Sequence, residues 1–182
     1  MNSVTTATVS LGAVTIGLSI LAWHLARWWK TGGGGKGGPP GVGGGGGGRD
    51  PKVLIPFVAS VALGMLCVTA AGGLLGTAAT MLMDVGNTLG NWSLTAVTGT
   101  TTPGVTRSGH KSLTPGGCAA LVIYIVVLAA IWKSGGKVFH GKVTSGVTCG
   151  VMLGLSAGFS GVAATAVVSI FNALGDKVTG VM

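Results

Sequence analysis

The side chains able to do chemistry are few and far apart. They are His24, His110 and His140, Cys67, Cys118 and Cys149, and Asp50, Asp84 and Asp176, with no glutamate anywhere. A structural zinc site wants Cys and His ligands about two to five positions apart. Acid–base work wants carboxylates or imidazoles that converge on one proton. Neither spacing occurs. The cysteines fall in or beside apolar runs, where a thiol acts as a small apolar group. Gly32-Gly33-Gly34-Gly35-Lys36 has the glycines and lysine of a phosphate loop, but no Gly-Lys-Ser/Thr ending follows and no strand precedes it. The chain reads as a non-enzyme without cofactor or metal.

What remains is cations and small residues. Of the 182 residues 48% are hydrophobic and only 8% charged, where a soluble domain carries about a quarter charged. So few charges cannot cover a globular surface, and a membrane is the solvent this composition suits. The net charge of +8 comes from cations that sit in gaps between apolar runs. The first role of such cations is to orient the chain in the membrane, and beyond that they suit anionic headgroups. Non-specific nucleic acid is the second partner they suit, through phosphate contacts. Aromatics able to stack a base are sparse in the connections, Trp92 and Phe139 alone, which argues against sequence-specific recognition.

These groups are placed by an all-α, integral membrane fold of about four transmembrane helices, arranged as two tandem helical hairpins. Residues 1–30 form the first span, ending in Trp23, Trp28 and Trp29 beside Arg27 and Lys30, an interfacial belt with snorkelling cations. No basic stretch precedes it, so it reads as a retained span rather than a cleaved signal. Residues 31–52 are a glycine-rich linker containing Lys36, too entropic to hold a fold. Residues 53–83 are the second span and 84–114 a polar Thr/Gly-rich loop. Thr114-Pro115 supplies the cap and first turn of the third span, residues 115–132. A basic turn at 133–142 carries Lys133, Lys137 and Lys142, the fourth span covers 143–175, and 176–182 is a tail. The positive-inside rule puts both basic connections in the cytoplasm and both termini outside.

The halves repeat. Trp29-Lys30-Thr31-Gly32-Gly33 recurs as Trp132-Lys133-Ser134-Gly135-Gly136. At an offset of 85, Gly73, Gly76, Ala78, Ala79, Thr80, Asn87, Leu89 and Gly90 match Gly158, Gly161, Ala163, Ala164, Thr165, Asn172, Leu174 and Gly175. The long spans also carry small residues four apart: Gly146, Gly150, Gly154 and Gly158 in one, and Ser60, Gly64, Gly72, Gly76 and Thr80 in the other, where Val68 breaks the row. Such a ridge lets a second backbone approach closely, the main source of helix association in lipid. Two outcomes are open: packing between spans of one chain, or a self-association face that builds a homo-oligomer. Thr148, Ser156, Ser160, Thr165 and Ser169 either wet a pore in such an oligomer or bond back to their own helix. No Asp, Glu or Lys lies mid-span, which argues against ion-coupled transport.

The second half, with two apolar helices around Lys133-Ser134-Gly135-Gly136-Lys137, resembles the hairpin of conjugative pilins of type IV secretion systems. That resemblance covers about two-fifths of the chain and implies a polymer whose basic turn lines a lumen. The first hairpin is additional to that pattern. The Gly/Ala/Val/Thr-rich usage is similar to that of membrane spread proteins of actinobacterial conjugative plasmids and of phage holins. Together these imply an oligomeric pore- or channel-forming subunit of a DNA-transfer or secretion apparatus, in a bacterial cytoplasmic membrane. The alternatives are an adaptor that recruits a cytoplasmic protein partner through the linker and basic turns, and a holin.

Overall fold

The computed structural model describes residues 9–31, 54–70, 73–100, 104–105, 113–154, 156 and 159–180. Six helices carry it: α1 (Leu11–Thr31), α2 (Ile55–Thr69), α3 (Gly73–Thr98), α4 (Pro115–Ser134), α5 (Lys137–Gly154) and α6 (Phe159–Thr179). The only strands among the described residues are β1 (Val9–Ser10) and β2 (Gly104–Val105), a two-residue antiparallel ladder. Among the described residues three helical stretches are long and apolar enough to cross a membrane: Leu11–Lys30, Pro115–Ser134 and Gly161–Thr179. A fourth exists if α2 and α3 count as one bent span.

Both long spans expected from hydropathy are divided in two. α2 stops at Thr69 and α3 starts at Gly73, with an angle of 105° between them. α5 stops at Gly154, the position 85 residues after Thr69, and α6 starts at Phe159. Gly73 has φ +72°, a backbone conformation in which a Cβ is strained. The stretch expected to be a polar loop from residue 84 is helical as far as Thr98. Its Asn, Thr and Gly residues are poor helix formers in isolation, but Gly86 and Gly90 allow close contacts that reward the helix.

Each half pairs its first helix with its last, as in the expected hairpins, and the most extensive contact runs between the halves. α2 pairs most extensively with α5, α1 packs on α3 and α5, and α4 packs on α6. The contacts of α2 with α5 rise together in sequence: Phe57 and Ser60 meet Gly146, Val61 and Gly64 meet Gly150, and Met65 meets Gly154. The two helices are therefore parallel. α4 and α6 run antiparallel, with Gly116 against Gly175 and Leu121 and Val168 in one buried cluster. The physical reason is the small-residue ridge. α2 and α5 each carry one, so their backbones can approach closely along the whole seam.

Candidate functional site: the glycine seam and the basic end

The seam between α2 and α5 contains four of the glycines expected to drive helix packing. A Cβ added to Gly64 would strike the Val147 carbonyl and lie 2.9 Å from Gly150 Cα. At Gly150 it would strike the Val61 carbonyl, and at Gly146 it would lie 2.7 Å from the Phe57 carbonyl and from Ser60 Cβ. At Gly154 the nearest atom is Met65 Cα at 3.2 Å. The ridge of α5 is thus filled from within the chain. Gly76 is not part of the seam: it lies beyond the α2–α3 break and faces the Ala70 carbonyl, 2.9 Å from an added Cβ. Gly72 and Gly158 lie outside the described residues. Among the hydroxyl residues, Thr148 donates to the Thr144 carbonyl, Ser156 to Leu153 and Thr165 to Gly161, each within its own chain segment. Ser60 does the same with Pro56.

The halves repeat one bonded arrangement at the opposite end from the basic groups. Ser10 N–H donates to Asn87 Oδ1 at 2.9 Å, and Thr114 N–H donates to Asn172 Oδ1 at 3.0 Å. Ser10 Oγ accepts from Ala13 N–H and Thr114 Oγ1 from Gly117 N–H, so each hydroxyl caps the helix it precedes. Gly12 then crosses Gly90 backbone to backbone, as Gly116 crosses Gly175. The sequence offset pairs Asn87 with Asn172 and Gly90 with Gly175. Their partners Ser10, Gly12, Thr114 and Gly116 carry no comparable signal. In the second half Thr114 Oγ1 also donates to Asp176 Oδ1 at 2.8 Å.

The other end gathers cations from distant parts of the sequence. His24, near the end of α1, stacks on Phe57 of α2 with ring centroids 4.1 Å apart. Its Nε2 shares a 2.9 Å hydrogen bond with Ser145 Oγ of α5. Arg27 and Lys142 both lie within electrostatic reach of the His24 ring. Lys30 and Lys133 close α1 and α4 and are exposed. His140 packs on Trp132 at 5.4 Å and bonds its carbonyl. Lys137 opens α5, and Lys36 lies outside the described residues.

Cys67 and Cys149 are buried and Cys118 exposed. Among the described residues no three His, Cys, Asp or Glu side chains are grouped closely enough to hold a metal ion. Comparison with protein-family models, curated proteins and solved structures finds no match.

Proposed function

We propose that the chain is a non-catalytic integral membrane protein acting as an adaptor. On this reading the bundle is the anchor, and its basic end, with the glycine-rich linker, faces the cytoplasm and holds a protein partner there. The observation that carries this reading is the filled seam: the ridge that would otherwise build an oligomer is occupied by α2 of the same chain. The apolar faces of α4, with Val122, Ile123, Val126 and Val127 exposed, suit lipid rather than water. The measurement is the mass of the protein in mild detergent, by light scattering corrected for bound detergent. A single chain is expected. Removing residues 32–48 should then release the partner while the particle still contains a single chain. A discrete multimer overturns the adaptor reading.

One observation favours a second reading, the pore- or channel-forming subunit of a transfer or secretion apparatus. The two helix breaks, after Thr69 and after Gly154, stand at matching positions of the two halves. Membrane transporters build their sites at such paired interruptions. Ion leakage from liposomes that contain the protein separates this reading from the adaptor, which leaves them tight.

A further inference from the structure

We propose that the end of the bundle formed by the last turns of α1 and α4 and the first turns of α5 binds the headgroups of anionic phospholipids. Four cations from three helices stand at this end of the bundle: Arg27 and Lys30 of α1, Lys133 of α4 and Lys142 of α5. Arg27 and Lys142 both act electrostatically on one imidazole, His24, which the Ser145 and Phe57 contacts fix between α1, α5 and α2. The depth is right for a headgroup. Lys30 and Ser134 are the last residues of two candidate spans, so the cations stand where hydrocarbon gives way to polar heads. Trp23, Trp29 and Trp132 are exposed at this level, as interfacial indoles are. The two described carboxylates stand elsewhere. Asp176 bonds Thr114 at the far end of α4, and Asp84 lies one turn from the α3 segment that meets the start of α1. A phosphodiester surrounded by Arg and Lys makes charge-assisted hydrogen bonds at a depth where its acyl chains remain in the bilayer.

The proposal rests on the membrane reading, and the test separates the two. Protein is placed in nanodiscs of phosphatidylcholine with a minority of phosphatidylglycerol of matched chains. The lipid retained on release is counted by native mass spectrometry. Wild type should hold phosphatidylglycerol in several-fold excess over its share. Arg27→Gln with Lys142→Gln should reduce that excess at least about fivefold, as should the exposed pair Lys30→Gln with Lys133→Gln. Lys177→Gln, at the far end, should change nothing. Equal retention of both lipids by wild type overturns the proposal, as does an equal loss in Lys177→Gln. In discs of phosphatidylcholine alone, a single-stranded oligonucleotide that binds through Arg27 and Lys142, with no phosphatidylglycerol preference, would overturn it in favour of nucleic acid. A protein that stays soluble without detergent and retains neither lipid would sink the membrane reading itself.

Discussion

Asn87 and Asn172, 85 positions apart, use the same atom in the same way, each Oδ1 accepting the backbone N–H of the residue that caps a neighbouring helix. The recurrence of the cap, the asparagine and the Gly–Gly crossing in both halves points to a duplicated unit. The halves are not identical. α1 leans on α5 through Gly17, whose carbonyl accepts from Cys149 Sγ, whereas α4 reaches α2 by the Tyr124 hydroxyl on the Ala59 carbonyl at 2.8 Å.

Asn87→Ala and Asn172→Ala should each cost about 1–3 kcal/mol, the penalty for leaving a part-buried N–H unpaired. The sites are in different halves and share no partner, so the double variant should lose the sum to within about 0.5 kcal/mol. Thermal unfolding in detergent measures all three. A double variant no worse than either single would contradict two independent locks.

Glycine-to-alanine substitutions on α5 should have opposite signs. At Gly141 an added Cβ meets nothing within 4 Å, so Ala should stabilise by about 0.5–1 kcal/mol through helix propensity. At Gly150 the same propensity gain is outweighed by collision with the Val61 backbone carbonyl, which cannot swing aside as a side chain would. We expect a net loss of about 1–3 kcal/mol. Melting temperatures that rise for both variants would exclude the seam.

Gly73→Ala isolates backbone strain from packing. No atom lies within 4 Å of the added Cβ, yet φ is +72°. The expected cost is about 1–2 kcal/mol, visible as a lower melting temperature. An unchanged value would mean that α3 does not start in the left-handed conformation.

Sidedness is open to labelling. In a background with Cys118 replaced, Lys30→Cys and Lys133→Cys should react with an impermeant maleimide from one side of sealed vesicles. Lys177→Cys, which follows Asp176 at the α4 N-terminus, should react from the other. Labelling of Lys30→Cys and Lys133→Cys from opposite sides would contradict the common basic end.

Hydropathy locates α1 and α4 because each is one uninterrupted apolar helix, and Thr114-Pro115 marks the start of α4 in ordinary cap chemistry. The same averaging misses the breaks. Ala70 to Gly73 and Leu155 to Gly158 contain no proline and no charge, so a hydropathy window runs through them. The glycine ridges are visible in the sequence but their partner is not. Residues four apart define a face, whereas which helix fills it depends on the whole bundle. The cap pair Ser10 and Thr114 is hidden by register. They are 104 positions apart, while the tryptophan match of the same helices runs at 103, so the alignment slips by one residue between the two ends.

The parallel seam also dictates an order of manufacture. α2 is synthesised long before α5, with α3 and α4 in between. Until α5 emerges, Gly64 and the backbone beside it face lipid with a groove that no neighbour fits. A ribosome stalled within α4 would leave the first half in that condition, a substrate for membrane quality control. Pairing over so long a separation is slow. The later half therefore acts as the assembly partner of the earlier one, and loss of α5 should shorten the lifetime of the entire chain in the cell rather than remove one function from it.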